Sequence, residues 1–213
     1  MQARKYDVNV YLHGVAAMLE KKSTRIRKEE IIQAALDVVG RKGLRSLTIS
    51  AIAATAGMSE ANIYRHFKGK DEIISAIADF IGSSVMGKAA TIAAGSRRPL
   101  EKLETVFFSH LALIAEHPGI PRFVFSEDVL LAHPDVAQTL AARINSYVET
   151  ISGIIAAGIQ EGEMRQGISP RETALTLLGM IQFTALRSTV GGLPGGIADE
   201  GKSLWQNFAL LLR

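Results

Sequence analysis

Three short stretches with helical spacing of apolar residues lie close together near the start of this chain, and only glycine-containing turns separate them. The first stretch begins near Lys28 and stops at Gly40 and Gly43. Its apolar residues recur at positions i, i+3, i+4 and i+7, which places them on one face of a helix. Short helices cannot bury such a face alone, so the three stretches are predicted to share one small core. The face consists of Ile32, Ala35, Leu36 and Val39.

The second and third stretches carry residues that begin and end helices. Thr48 can cap the second helix, Gly57 can end it, and Ser59 can cap the third. Ile63 and Phe67, four residues apart, give the third helix an inward face. Two helices joined by a short turn that contains glycine form a helix-turn-helix, whose second helix enters the major groove of DNA. The third helix is therefore predicted to be the recognition helix.

The outer side of this third helix carries residue types that suit DNA. Asparagine and arginine can read adenine and guanine bidentately, whereas serine, tyrosine and cations suit phosphates. Residues 21–80 carry 11 Lys or Arg against 7 Asp or Glu, a net +4 in a chain of +3, which leaves −1 for the rest. On charge alone, a solvated basic face is the simpler interpretation. The outer residues are Ser59, Asn62, Tyr64, Arg65 and His66.

Composition excludes several classes of protein. The 213 residues include no cysteine, which excludes disulfide frameworks, zinc–thiolate sites and cysteine nucleophiles. No uninterrupted apolar run reaches the roughly 18 residues that a membrane span needs, and the first residues lack the pattern of a signal peptide. We therefore expect a cytoplasmic protein with no membrane partner.

The rest of the chain also predicts helices and no convincing strand, so the expected fold class is all-α. A fourth helix should run from Asp71 towards Ala90, since acidic residues in a first turn complement the helix dipole. Within residues 1–23, Tyr6, Val8, Val10 and Leu12 recur at every second position as in a strand, but no partner strand is nearby, and we expect a flexible arm or an extended start. Further helices are predicted over residues 100–116, 134–161, 170–190 and 198–212.

The segment LTISAIAATAGMSEANIYRHFKGKDEII, residues 47–74, resembles the tetracycline-repressor (TetR) family of bacterial transcription regulators. The correspondence includes Thr48, Gly57 and Ser59 and extends back through RKEEIIQAALDVVGRKG. The resemblance implies a homodimer that binds double-stranded operator DNA. It also implies a helical C-terminal domain that dimerises and binds a small-molecule effector.

The resemblance further implies which residues contact DNA. Glu60 stands where many relatives carry Lys, Arg or a small residue. A carboxylate near DNA lowers affinity unless it accepts from a cytosine amino group, so the operator sequence does not follow from the family. Predicted phosphate contacts are Thr48, Tyr64, His66 and Lys70, with Arg25, Arg27 or Lys28 reaching from the entry segment. Predicted base contacts are Ser59, Ala61 and Asn62.

Two more surfaces are predicted in the C-terminal part. Aromatic residues with a few polar neighbours are candidates for an effector pocket that suits a mainly hydrophobic or aromatic ligand, although plain core packing explains most of them. Apolar stripes on the last two helices are predicted to pack against their twofold copies as a four-helix bundle, with internal core as the alternative. The pocket candidates are Met86, Phe107, Phe108, His110, Arg122, Phe123, Phe125 and Tyr147. The interface candidates are Leu177, Leu178, Ile181, Phe183, Leu204, Trp205, Phe208, Leu211 and Leu212.

No catalytic or metal-binding pattern stands out. His110, His117 and His133 lack the i, i+4 spacing of a helical metal site, and surface or pocket histidines are expected. The glycines of residues 191–196 are not followed by the Lys-Ser/Thr of a phosphate-binding loop. We therefore expect neither an enzyme nor a protein with a metal or cofactor.

The predicted organisation has three parts: a flexible N-terminal arm (1–23), a helix-turn-helix DNA-binding domain of three helices (24–70), and a helical effector-binding and dimerisation domain (71–213). The predicted function is that of a sequence-specific repressor, released from a palindromic operator by a small hydrophobic or aromatic effector. The alternative is a non-inducible architectural or division-linked DNA-binding protein, which would share the same DNA-binding domain.

Overall fold

The computed structural model describes the backbone of residues 8–213 and the side chains of residues 24–213. All regular elements in this described part are helical, with one 3₁₀ turn at Leu44–Ser46, which confirms the all-α prediction. The α-helices are α1 (Val8–Lys42), α2 (Ile49–Ala56), α3 (Glu60–His66), α4 (Lys70–Ala94), α5 (Pro99–Glu116), α6 (Gly119–Val124), α7 (Glu127–Ala132), α8 (Pro134–Gln160), α9 (Pro170–Thr189) and α10 (Gly196–Leu212).

The first helix is longer than the sequence pattern indicated. α1 runs from Val8 to Lys42, so residues 8–23 continue a helix where we expected a flexible arm or an extended start. The alternation that suggested a strand covers few residues, and the same segment also has a helical period. Residues 1–7 lie outside the described residues. The helical period is formed by Val8, Leu12, Val15 and Leu19.

The helix-turn-helix forms with the predicted caps. The Thr48 hydroxyl oxygen accepts a hydrogen bond from the Ala51 N–H at 3.1 Å where α2 begins. The Ser59 hydroxyl oxygen accepts one from the Asn62 N–H at 3.2 Å where α3 begins. Gly57 ends α2 in the left-handed conformation, with φ of 64°, which a residue without Cβ adopts at no steric cost. Local capping therefore determines where α2 begins and ends and where α3 begins.

Two hydrophobic cores organise the described chain. The first packs α1, α2, α3 and the first half of α4, and it continues to Phe123 of α6 and Leu140 of α8. The second packs α5, α8, α9 and α10 around Phe107 and Trp205. α4 contributes Ile73, Ile74, Ile77 and Ile81 to the first core and Ala89 to the second. This helix therefore connects the DNA-binding helices to the rest of the protein.

α4 is also the one helix within residues 8–213 that is long and apolar enough, by length and composition alone, to cross a membrane. Ile73, Ile74, Ile77 and Ile81 are buried in the first core, and Ile92 packs against the second. A helix that packs against several partners needs apolar residues on more than one side. The packing of α4 inside the protein therefore accounts for its composition.

Two short helices were not predicted. The sequence His117-Pro118-Gly119 was expected only to end a helix, but α6 begins at Gly119 and α7 follows it. α6 packs so closely against α1 that neither Gly40 nor Gly119 has room for a side chain. A Cβ at Gly40 would lie 3.0 Å from the Gly119 nitrogen, and a Cβ at Gly119 would collide with the carbonyl oxygen of Leu36. The two helices therefore meet backbone to backbone.

Candidate DNA-binding surface and effector cavity

The recognition helix α3 buries one face and exposes the other. Ile63 and Phe67 are buried in the first core, as predicted. Tyr64 is 55% exposed, while Asn62 and His66 are half-buried. The structure thus leaves most of the predicted DNA contacts accessible, and their roles stay predictions. The other exposed residues at the start of this surface are Ser59, Glu60 and Ala61.

The two capping hydroxyls are also free to contact DNA. In Thr48 and Ser59 the hydroxyl oxygen accepts from a backbone N–H, which leaves the O–H available to donate. Both residues are exposed, and phosphate oxygens are acceptors. Because the caps already hold these side chains in place, a phosphate contact would require little additional loss of side-chain entropy.

His66 and Lys70 flank the end of the recognition helix. The Nδ1 atom of His66 is buried and has no hydrogen-bond partner among the described residues. A phosphate contact by this ring would therefore use Nε2. Lys70 is the first residue of α4 and is exposed. Both side chains stay candidates for holding the DNA backbone.

The two arginines predicted to reach DNA from α1 already have partners. Arg25 Nη1 lies 2.9 Å from Glu29 Oε1, and Arg27 Nη1 lies 2.6 Å from Glu30 Oε2. Exposed ion pairs of this kind contribute only about 0–1 kcal/mol. The arginines can therefore exchange a carboxylate for a phosphate at small cost.

Lys28 has a structural role as well. Its Nζ atom lies 4.0 Å from Glu72 Oε1 on α4 and 4.9 Å from the centre of the Phe67 ring. The lysine thus links α1 to the start of α4 by a charge contact and by a cation–π contact. A phosphate contact by Lys28 would have to compete with both.

A cavity of about 250 Å³ lies between α4, α5, α6 and α8, with α9 on one side. This volume is just below the range of about 300–1,000 Å³ that is usual for ligand pockets, and an apolar lining with few polar groups is typical of such sites. The polar residues of the wall are His110, Arg143, Tyr147 and Gln182. The others are Ile81, Gly82, Val85, Ile114, Ile120, Pro121, Val124, Phe125, Leu140, Ile144 and Leu178.

The pocket prediction agrees with this cavity in part. His110, Phe125 and Tyr147 line it. Arg122 does not, because it lies on the exposed side of α6. Nothing in the sequence pattern singles out Arg143, since a charged residue on an amphipathic helix usually faces solvent. Its place in the cavity wall depends on the packing of α8 against α4, which the sequence does not show.

Four other predicted pocket residues belong to the cores. Phe107 and Phe108 pack against Trp205, with ring centres 5.6 and 6.3 Å from the tryptophan ring. Phe123 is fully buried in the first core, and Met86 packs against the second. Their placement in the pocket is corrected to core packing, the alternative that the sequence left open.

His110 and Tyr147 form the buried polar pair of the cavity. The Tyr147 hydroxyl lies 3.3 Å from His110 Nδ1. Desolvation by burial lowers the pKa of His110 from 6.5 to about 4 and raises the pKa of Tyr147 above its usual value of 10. Both groups are therefore neutral at pH 7, and they offer a ligand hydrogen bonds without charge.

The burial of His110 predicts that the folded protein is sensitive to acid. The pKa of His110 is lower in the folded state than in the unfolded state, so its stability contribution is present above the unfolded value of 6.5 and is lost as the pH falls towards 4. We expect the free energy of unfolding to fall by about 2 kcal/mol from this residue between pH 7 and pH 5. Urea unfolding at both pH values, at fixed protomer concentration, measures the change.

Two histidine variants separate this effect from the titration of other groups. His110→Gln is expected to remove about 2 kcal/mol of the pH dependence. His133→Gln, which alters the residue before α8, should keep it. If His110→Gln unfolds with the same pH dependence as the unchanged protein, His110 is not the group responsible.

The predicted dimer face divides into buried and exposed residues. Most of its members lie in the second core of a single chain and have almost no surface left for a partner, so for them the prediction is corrected to internal core. Leu178 lines the cavity, and Leu204 is half-buried against the second core. The core residues are Leu177, Ile181, Trp205, Phe208 and Leu212.

Phe183 and Leu211 are the predicted interface residues that are exposed. They belong to a larger set of exposed apolar residues on the last two helices, which the sequence did not single out. On α9 its members recur every three or four residues, which places them on one helical face. We call this surface the α9–α10 stripe. It consists of Leu175, Gly179, Phe183, Leu186 and Val190 from α9 and its end, with Leu210 and Leu211 from α10.

An N-terminal helix-turn-helix followed by a helical domain with its own cavity defines this chain as a helix-turn-helix DNA-binding protein. Two family models match it: "Bacterial regulatory proteins, tetR family" over residues 31–77, and "Tetracyclin repressor-like, C-terminal domain" over residues 96–186. The nucleoid occlusion factor SlmA of Sodalis glossinidius is 30% identical over 152 residues, which cover 70% of this chain and 75% of SlmA. The chain therefore belongs to the TetR family of bacterial regulators, as its resemblance to that family predicted.

Two solved structures share the fold. The ketosteroid transcriptional regulator KstR2 of Mycobacterium tuberculosis has a TM-score of 0.72 and 20% identity, over 87% of this chain and 94% of KstR2. The transcriptional regulator FadR from Bacillus subtilis, solved in complex with stearoyl-CoA, has a TM-score of 0.69 and 22% identity, over 87% of this chain and 99% of FadR. At such identities the likeness shows the fold alone.

Proposed function

We propose that this protein is a ligand-responsive, sequence-specific repressor. It binds a palindromic operator in the cytoplasm as a homodimer and is released by a small, mainly apolar effector. One observation carries the proposal: α4 forms a wall of the cavity and begins only four residues after the recognition helix ends. A change at the cavity therefore has a short, helical route to the DNA-binding surface.

The packing of α4 supports this coupling. Ile81, Gly82 and Val85 line the cavity, while Ile73 and Ile77 hold the same helix to the DNA-binding core. Dimeric helix-turn-helix proteins need their recognition helices about 34–36 Å apart to meet half-sites one turn apart. A small tilt of α4 misplaces both recognition helices. By linkage, DNA must then weaken effector binding by the same factor.

The lining of the cavity supports an effector with a largely apolar body. Eleven of its fifteen residues are apolar side chains or glycine. The structure of FadR, which shares this fold, holds stearoyl-CoA, a molecule with a long apolar chain. An acyl group or an aromatic ring in the cavity would meet neutral hydrogen-bond partners at His110 and Tyr147.

The α9–α10 stripe supports the homodimer. An exposed apolar helix face, such as the one that Leu175, Phe183, Leu186 and Val190 form on α9, commonly marks a site of association. α9 and α10 pack against each other in one chain, so their exposed sides can meet the same two helices of a twofold copy. Such a four-helix contact would hold two recognition helices at a fixed distance.

The test of the proposal is the selection of genomic DNA fragments by the purified protein at two salt concentrations. One inverted-repeat motif that survives the higher salt is expected, because base contacts add to the salt-sensitive phosphate contacts. The same selection with two variants sorts the contacts. Tyr64→Phe is expected to weaken all sequences about equally, whereas Asn62→Ala is expected to relax the preference at one position of each half-site by about 1–3 kcal/mol. A reversed pattern would contradict this assignment.

Similarity to the SlmA proteins supports a second candidate, a division-linked DNA-binding protein that needs no effector. That candidate predicts occupancy of many dispersed sites and no response to small molecules. The apolar cavity next to α4 favours the first candidate, the ligand-responsive repressor. A screen of small molecules for release of the bound operator distinguishes the two.

A further inference from the structure

An ion pair joins the wall of the cavity to α4. Arg143 of α8 places its Nη2 atom 2.5 Å from Asp79 Oδ1 of α4. The Arg143 side chain also lies directly against Gly82. A Cβ at that position would collide with Nη1 and Cδ of Arg143. Gly82 lies three residues after Asp79, on the same side of the helix. Arg143 therefore holds α4 by charge and by packing at the level of the cavity.

Arg143 is also the charged residue in the wall of the cavity. The other polar groups among the described lining residues are the His110 ring, the Tyr147 hydroxyl and the Gln182 amide. A charge in an apolar environment is unfavourable unless an opposite charge lies beside it. A largely apolar wall with one cation therefore suits a ligand with an apolar body and an anionic head group.

The two partners of the ion pair differ in their access to water. The Asp79 side chain is 65% exposed, whereas Arg143 is 31% exposed and lies over the apolar wall. Asp79 can therefore leave the pair and be hydrated at small cost. Arg143 needs another anion in its place. An exchange of partners at Arg143 is thus favourable when an anion enters through the cavity, and unfavourable otherwise.

We propose that the effector is an amphipathic anion whose head group binds Arg143 in place of Asp79. This inference rests on the proposed function, because it names the class of ligand and the contact through which that ligand acts on α4. Once Asp79 is displaced, α4 loses its charge contact with α8 and tilts at lower cost. An uncharged ligand of the same shape fills the cavity but leaves the ion pair closed.

The first experiment measures binding to the DNA-free protein by calorimetry. The probes are hexanoate, octanoate and decanoate, each compared with the alcohol of the same chain length. We expect at least one acid to bind about tenfold or more tightly than its alcohol, because only the acid pairs with Arg143. If all three acids bind no more tightly than their alcohols, the inference is wrong.

Two variants break the same ion pair and are expected to change acid binding in opposite directions. Asp79→Asn removes the competing carboxylate and should strengthen the binding of the acid about threefold or more, whereas Arg143→Gln removes the binding group and should weaken it about tenfold or more. Alcohol binding should change little in either variant. A purely structural ion pair would instead give both variants the same effect, and that outcome would overturn the inference. Asp79 is largely exposed, so its variant is expected to fold.

The second experiment measures operator affinity without any ligand. Both variants should bind the operator about two- to fivefold more weakly than the unchanged protein, since the ion pair favours the ligand-free position of α4. The matched control is Asp199→Asn, which removes an equally exposed carboxylate from its pair with Lys202 on α10. If Asp199→Asn has the same effect as Asp79→Asn, the effect is not specific to α4. Absence of any operator would contradict the proposed function, while the calorimetry would still test the site at Arg143.

Discussion

Replacing Phe183 by glutamate is expected to separate the dimer and to lower the affinity for a complete inverted-repeat operator about 100-fold or more. In the dimer, binding of one half-site raises the effective concentration of the second DNA-binding unit at the other half-site, and a monomer loses this gain. Phe183 is 62% exposed at the middle of the α9–α10 stripe. In a twofold contact the two introduced carboxylates would be buried near each other, which is unfavourable for like charges. Sedimentation velocity and operator titration on the same samples measure dimerisation and DNA binding together.

A matched control and a matched DNA distinguish loss of the dimer from loss of the fold. Leu131 is 81% exposed on α7, outside the stripe, so Leu131→Glu adds the same charge without affecting the dimer. On DNA that carries a single half-site, Phe183→Glu should bind as weakly as the unchanged protein. If Phe183→Glu still dimerises, the interface lies on another surface.

The sequence predicted the DNA-binding unit well because local interactions determine it. The caps at Thr48 and Ser59 and the left-handed end at Gly57 each act within four residues, and the structure has all three. Their chemistry needs no knowledge of distant parts of the chain. The burial of Ile63 and Phe67 follows from the same short period.

The cavity and the dimer face could be predicted only in part, since they depend on which helices become neighbours. Leu177 and Phe183 of α9 are both apolar, yet the first faces the core of its own chain and the second faces outwards. A helix that is apolar on two sides has no sequence signal that distinguishes these sides. Arg143 and Asp79 are 64 residues apart in the chain, so their contact is set by the packing of α8 on α4.

α6 shows a third limit of sequence interpretation. With six residues it is shorter than two helical turns, so no period can identify it. Helices of this length are not stable alone, and burial of Ile120 and Phe123 stabilises this one. A residue pair that reads as a helix end, Pro118-Gly119, is here the start of a new helix that contacts α1 through its backbone.

Gly119→Ala is therefore expected to destabilise the protein by about 1–3 kcal/mol, the usual cost of adding a methyl group to a tightly packed site. The new Cβ would collide with the Leu36 carbonyl oxygen, and a helix backbone cannot move aside as a flexible side chain can. Gly119 does not have a positive φ, so alanine fits its backbone conformation and only the contact with α1 is tested. Urea unfolding at fixed protomer concentration gives the change.

Gly153→Ala is the control, because it makes the same substitution in an exposed position of α8 with no atom within 4 Å of the new Cβ. There, alanine should stabilise the protein by up to about 1 kcal/mol, since it favours a helix more than glycine does. If Gly119→Ala lowers the free energy of unfolding and Gly153→Ala raises it, close packing of α6 on α1, and not helix propensity, decides the effect at Gly119. Equal stability of Gly119→Ala and the unchanged protein would mean that α6 can move away from α1 freely. α6 carries Ile120 and Pro121 of the cavity wall. If it moves freely, it could not transmit a change at the cavity to the DNA-binding core, and α4 would be the helix that does so.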